Sequence, residues 1–228
     1  MPTAPLLLAL DTGSPLVSVA IGRGGRGGRG GEVLAERSVE IGRSSGQLLE
    51  MMGAVLSEVG ARPADLGGVV ALQGPGSFTG LRIGLATVLG LHQALGVPAT
   101  ALPTLRVLAA AIEAEGVIVA AVDALRGEWS AQAFAGGAVL GGMELVHGSR
   151  LPSLFPEGAP RTVTGFGISR LAELPDWPSD IRLVEAGPLA ATAVRLAREI
   201  PSWNADLLIH PLYSRPPAVT PPKPRVLA

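Results

Sequence analysis

The chain has 228 residues, 47% of them hydrophobic and 16% charged, with a formal net charge of −1. That apolar content excludes an intrinsically disordered chain, and 18 basic against 19 acidic side chains give no overall pull toward nucleic-acid phosphate. The absence of cysteine excludes disulfides, thiol catalysis and cysteine-ligated zinc, while sparse charge and a mean hydropathy of +0.40 predict that another protein covers part of the surface.

The opening MPTAPLLLALDTGS lacks a basic leader region, so no signal peptide is expected. No run approaches the roughly 18 apolar residues of a membrane span. The expected location is the cytoplasm, with no membrane partner. Leu6–Leu10, Val17–Ile21 and Glu32–Glu40 read as three strands joined by turns, an antiparallel meander. Between the second and third lies GRGGRGGRGG (22–31), a low-complexity stretch. It is either a basic loop that touches phosphate or a long flexible hairpin tip with solvated arginines.

Leu48, Leu49, Met52, Val55, Leu56 and Val59 recur at three- and four-residue spacing and predict a helix over 47–60. Gly68–Leu72 reads as a buried strand. GPGSFTG (74–80) then opens a helix to Leu95 that is apolar on more than one face. Val97–Leu102 is a further strand, and 104–114 a helix with Thr104 as its N-cap. Val117–Val122, Trp129–Ala135 and Ala138–Val146 follow as strands. Thr162–Thr164, Ile181–Val184 and a helix over 189–200 come next, and a proline-rich extended tail begins at about residue 211.

LLALD (7–11) and VAAVD (119–123) are both strands closed by an aspartate, and each is followed by a glycine turn and further strands. This faint repeat predicts two related lobes of mixed α/β structure, divided at 1–102 and 103–228. Asp11 and Asp123 have two readings. Each caps a turn, or the pair meets a Mg-nucleotide across a cleft, as in two-lobed ATPases of the actin and hexokinase type. GPGSFTG likewise reads as an anion-binding helix start or as a tight turn. In the second reading Gly76 or Gly80 takes a positive φ, and Ser77 or Thr79 caps the helix. It is not a Walker A loop, since no Lys-Ser/Thr follows. The histidines at 92, 147 and 210 are not spaced as ligand pairs, so no metal site is expected. No GxSxG elbow is present.

These stretches together resemble the bacterial TsaB (YeaZ) family. LALDTGSPLVSVAI resembles its opening hairpin, GPGSFTGLRIGLATVLGL its most diagnostic segment, VDALRGEW its second-lobe segment, and HPLYSR its Pro-x-Tyr-x-Arg ending. The resemblance implies an actin-like (ASKHA) fold of two lobes, each a mixed sheet with flanking helices. It implies a scaffold that dimerises in isolation through first-lobe helices and carries no catalytic residue of its own. Its implied partners are the catalytic subunit TsaD and the ATPase TsaE, which place threonylcarbamoyl on adenosine 37 of tRNAs reading ANN codons. Contact with tRNA is then indirect, through the complex.

The resemblance further implies no cofactor in the isolated chain, with ATP or ADP and Mg confined to a subunit junction. Asp11, Thr12, Gly13 and Asp123 become vestigial nucleotide contacts. Leu48, Met52, Leu81, Ile83, Leu85, Val88 and Leu89 become interface residues. Gly74, Gly76, Ser77, Thr79 and Gly80 become the turn that launches the interface helix. Two departures stand out: Ser45 where many relatives have histidine, and the long glycine–arginine hairpin. The alternative class is an independent nucleotide hydrolase or kinase using Asp11 and Asp123, or a glycoprotease-like peptidase. The absence of a histidine pair in the 47–60 helix argues against the peptidase.

Overall fold

The computed structural model describes residues 5–23, 32–40, 46–200 and 202–215. Most of the glycine–arginine hairpin, Ser45 and the tail beyond Arg215 lie outside these residues. The first sheet has the order β3-β2-β1-β4-β5. Strand β1 (Leu6–Asp11) pairs antiparallel with β2 (Leu16–Arg23), in a register that sets Leu8 opposite Ile21. β2 pairs antiparallel with β3 (Val33–Glu40), so the predicted meander is present. β4 (Leu66–Gly74) runs parallel to β1, and β5 (Ala99–Pro103) parallel to β4.

The second sheet repeats this plan. β6 (Val117–Asp123) pairs antiparallel with β7 (Glu128–Ala135) and parallel with β10 (Arg161–Gly165). β11 (Ile181–Glu185) runs parallel beyond β10. The far edge of β7 takes two short strands, β8 (Ala138–Val139) and β9 (Glu144–His147). Sequence periodicity joins these into one strand over 138–146. The chain instead breaks at Gly141 and Gly142, where the Gln132 side chain donates to the Gly141 carbonyl at 2.8 Å. Equivalent strands thus occupy equivalent places in the two sheets, which is the two-lobed actin-like plan.

Alternation along the central strands divides the interior into three apolar layers. Leu8 and Leu10 of β1 face outward onto α1 (Gln47–Glu58) and α2 (Phe78–Leu95). Leu7 and Ala9 face the opposite way, into a layer built by α3 (Thr104–Ala110) and α4 (Ala190–Ala197). That layer also takes Ala120 of β6 and Phe134 of β7, so it is shared by the two sheets. Val117, Val119 and Ala121 face the third layer with Trp129, Leu151, Ile168 and Leu171. Strands covered on both faces are apolar throughout, which explains the unbroken runs LLLAL and VVAL.

Helix α3 is shorter than its apolar pattern predicts, ending at Ala110, and Pro103 rather than Thr104 holds its N-cap position. Thr104 is the first helical residue, and its buried hydroxyl has no hydrogen-bond partner among the described residues. Helix α4 is capped by strands of the first sheet. Ser18 Oγ of β2 accepts from the Leu189 and Ala190 amides at 3.2 and 3.1 Å, and Glu36 of β3 accepts from the Ala191 amide at 2.9 Å. These bonds satisfy helix-terminal donors that would otherwise be orphaned. They also tie a helix that follows the second sheet in sequence onto the first sheet.

Candidate functional site: the interlobe cleft and the outer helix face

GPGSFTG sits where β4 ends. Gly74 adopts φ 113°, and the Gly74–Pro75 peptide is cis. Ser77 caps α2, its Oγ accepting from the Gly80 amide at 3.3 Å. Thr79, the other proposed cap, is already inside the helix and exposed. Gly76 and Gly80 do not take positive φ, contrary to the sequence expectation; Gly74 does. Gly76 and Gly80 are needed for a different reason, close approach. A Cβ on Gly80 would overlap the Thr12 carbonyl, and one on Gly76 would lie 2.7 Å from the Gly13 carbonyl.

The turn after β1 is thereby pressed against the start of α2. Thr12 Oγ1 donates to the Gly80 carbonyl at 2.7 Å, and the Ser77 amide donates to the Gly13 carbonyl at 2.8 Å. Amide donors at this helix start that could have met an anion are therefore partly engaged within the chain. Gly13 still presents its backbone to the cleft.

Asp11 and Asp123 stand at matching strand ends but in unlike surroundings. Asp11 is fully buried. Its Oδ1 accepts from the Gly13 and Ser14 amides at 3.0 and 3.2 Å, and its Oδ2 has no partner among the described residues. Burial pushes its pKa up to about 6, against the opposing pull of the Ser14 and Gly13 hydrogen bonds. Asp123 is partly exposed. Its Oδ1 accepts from the Leu125 amide at 2.7 Å, and its Oδ2 pairs with Arg170 at 2.7 Å. The Arg170 guanidinium also lies 4.5 Å from the centre of the Trp129 ring. The turn beyond Asp123 is strained, since Leu125 (φ 67°) and Arg126 (φ 59°) are both left-handed without being glycine.

Both carboxylates accept from turn amides, but Asp11 is sealed from the cleft while Asp123 carries only a part-exposed ion pair with Arg170. With Asp11 sealed, the pair does not fit a magnesium-nucleotide site within this chain. Among the described residues there is also no group of three or more metal-ligating side chains.

Between the lobes is a cleft of about 530 Å³. Its walls are the Gly13–Pro15 turn, Gly76–Phe78, Val122–Leu125, Phe166, and a segment that arrives from the C-terminal end, Tyr213–Arg215. Tyr213 stacks on Phe78 with ring centres 4.9 Å apart and accepts a 3.0 Å hydrogen bond from Arg82 Nε. Arg82 also covers the other ring, 3.8 Å from the Phe78 centroid. Nothing in the sequence pattern points to Phe78, Arg82 or Arg170 as cleft residues. For Tyr213 and Arg215 the sole available signal was the PLYSR segment, which says nothing of what it touches.

The outer face of α1 and α2 is the second candidate. Leu81, Leu85 and Val88 point into the core with exposures of 0, 3 and 0%, and Leu48 and Met52 of α1 are also buried. These five cannot present themselves to a partner as the sequence reading expected. The sheet needs their side chains, and one helical stripe cannot serve both faces. Leu89 is half-buried against the same core. Ile83 is 46% exposed, with Ala86 and Gly90 beside it on the outward side, and Leu49 of α1 is 72% exposed, near Gly53. Gly53 and Gly90 have open space where a side chain would stand. Among the described residues no helix is long and apolar enough to cross a membrane.

Comparison with known proteins gives a consistent result. A family profile described as "TsaD: tRNA N6-adenosine threonylcarbamoyltransferase" matches residues 42–142. The tRNA threonylcarbamoyladenosine biosynthesis protein TsaB of Bacillus subtilis is 31% identical over 124 residues, 54% of this chain and 52% of that protein. An uncharacterized protein of Mycobacterium tuberculosis is 38% identical over 93 residues, 40% of this chain and 42% of that one. These alignments span about half, or less, of the length of the curated relatives. The solved structure of YeaZ from Pseudomonas aeruginosa superposes with a TM-score of 0.69 at 26% identity, covering 85% of this chain and 90% of that one.

Proposed function

This chain belongs to the TsaB (YeaZ) family, and from that membership we propose that it serves tRNA threonylcarbamoyladenosine biosynthesis as a scaffold rather than as the catalyst. In this reading it pairs with the catalytic subunit TsaD, works beside the ATPase TsaE, and supports threonylcarbamoyl transfer to adenosine 37 of ANN-decoding tRNAs. In isolation it forms a homodimer, and TsaD takes an overlapping surface.

The observation that carries the reading is the outer face of α1 and α2. Leu49 and Ile83 stand exposed beside Gly53, Ala86 and Gly90, where small residues let another backbone come close. Each helix thus presents one large apolar side chain among small residues, and in this reading those two points are where a partner helix packs. The chemistry belongs to the partner, and the contribution of this chain is shape. The Thr12–Gly80 and Gly13–Ser77 contacts lock the start of α2, so the outer face is presented on a rigid helix. A magnesium nucleotide, in this reading, binds only where a second subunit completes the site, since Asp11 is sealed from the cleft.

The test is reconstitution of adenosine 37 modification with TsaD, TsaE and a threonylcarbamoyl-adenylate source. Ile83→Glu and Leu49→Glu are expected to abolish assembly and modification together. Asp123→Ala is expected to leave both largely intact. Loss of modification in Asp123→Ala with the complex still assembled overturns the scaffold reading. Titration of the isolated chain with Mg-ATP is expected to give no binding heat.

A further inference from the structure

The segment from His210 to Arg215 is anchored very unequally on the two lobes. On the first lobe the buried Gln73 holds it from both sides. Its Nε2 donates to the His210 carbonyl at 2.7 Å and to the Leu207 carbonyl at 3.3 Å, while its own carbonyl accepts from the Leu212 amide at 2.8 Å. Gly74 has no side chain at the point where one would overlap the Leu212 carbonyl. Tyr213 then adds the Phe78 stack and the Arg82 hydrogen bond. On the second lobe the segment has, among the described residues, one ion pair, between Arg215 and Glu128 at the start of β7. Both side chains are about one-third exposed, at 36 and 37%. An ion pair so exposed is screened by water and salt and holds weakly.

The two sheets share no strand pairing among the described residues; the apolar layer around α3 and α4 joins them. Two lobes packed through such a layer can hinge or shear without breaking a strand ladder. We propose that Leu212–Arg215 is an interlobe latch: it rides permanently on the first lobe and fastens the second through Arg215–Glu128, which sets the width of the cleft between them. Breaking the ion pair leaves the strap seated on the first lobe and the shared layer around α3 and α4 as the joint about which the second lobe moves. The outer layers of the two lobes are separate, so a change of cleft width is distinct from unfolding. The latch acts on this chain alone and does not depend on which partner or ligand the family role supplies.

The chain has no cysteine, so two introduced ones are its only thiol attachment points. Cysteines at Glu40 on β3 and Glu144 on β9, both exposed, carry spin labels whose separation reports the interlobe distance, with the labelled chain diluted into unlabelled chain so that distances between protomers do not enter. Arg215→Ala and Glu128→Gln are each expected to shift the mean distance upward and broaden the distribution, with an unchanged urea unfolding midpoint. The charge-swapped double variant, Arg215→Glu with Glu128→Arg, is expected to restore the narrow wild-type distribution. An unchanged distribution in the single variants overturns the latch. So does disagreement between the two, or a swap that behaves like either single variant.

Discussion

Asp11 is a carboxyl group fully enclosed by protein, with one oxygen bonded to amides and the other orphaned. Its folded pKa of about 6 lies above the ordinary 3.8, so the folded state binds the proton more tightly than the unfolded chain does. The stabilising contribution of the protonated form is therefore complete below about pH 4 and is lost as pH rises through about 6. The difference amounts to about 3 kcal/mol. Asn at this position keeps an oxygen for the Gly13 and Ser14 amides and carries no charge at any pH. Asp11→Asn is expected to remove the fall in stability between pH 4 and pH 6 and to raise the urea midpoint at pH 7.5. A variant that still loses as much stability as wild type across that window refutes the buried-carboxyl account. Gly80 is the second decisive residue. Even one methyl group there meets the Thr12 carbonyl, which is backbone and cannot swing away. Gly80→Ala is expected to cost about 1–3 kcal/mol in thermal unfolding, in the range of other overpacked sites.

Helix α2 has a buried side and an exposed side, and in the proposed function each has its own task. Leu81, Leu85 and Val88 are buried against the sheet, whereas Ile83 faces outward. Charge substitution along the helix should therefore separate the two cleanly. Leu85→Glu buries an unpaired charge in the core and is expected to abolish folding, read as loss of the cooperative thermal transition. Ile83→Glu places its charge in water within the monomer and is expected to preserve the melting temperature while sedimentation changes from dimer to monomer. A dimer that survives Ile83→Glu and Leu49→Glu together places the contact elsewhere. The apolar character of α2 was legible in the sequence, but which residues form each stripe was not. Residues all round the helix are apolar enough to be buried, and hydrophobicity alone does not say which of them the sheet takes. The break between β8 and β9 was also missed. Gly141 and Gly142 lie inside a stretch read as continuous strand, and glycine there opens a bend that alternation cannot reveal.

At the scale of the molecule, the two lobes are repeats that have diverged at their strand ends. Both start with an antiparallel hairpin and extend by parallel strands, and both central strands finish in aspartate. One aspartate is sealed beneath a turn and the other is bound by arginine, so equal positions do not give equal chemistry. The C-terminal part does not stay with the second sheet. Helix α4 is capped by Ser18 and Glu36, and the strap from His210 onward is held by Gln73. A chain truncated before Ala190 would uncover the first-lobe apolar layer that α4 fills with Ala190, Ala193, Val194 and Ala197. It is expected to lose cooperative unfolding of the first lobe as well as of the second, as followed by amide exchange in β1.

The sequence by itself determined most of the strands, the two-lobe repeat and the resemblance to the TsaB (YeaZ) family. Those rest on local period, turn residues and a diagnostic segment, all of which are short-range along the chain. Only the tertiary structure decided that Gly76 and Gly80 serve close approach, that Asp123 is paired and Asp11 sealed, and that Tyr213 and Arg215 wall the cleft. Each of these depends on residues far apart in sequence: Thr12 with Gly80, Asp123 with Arg170, Phe78 with Tyr213, Glu128 with Arg215. Periodicity records how much of a segment is buried; it carries no information about which distant group arrives to bury it.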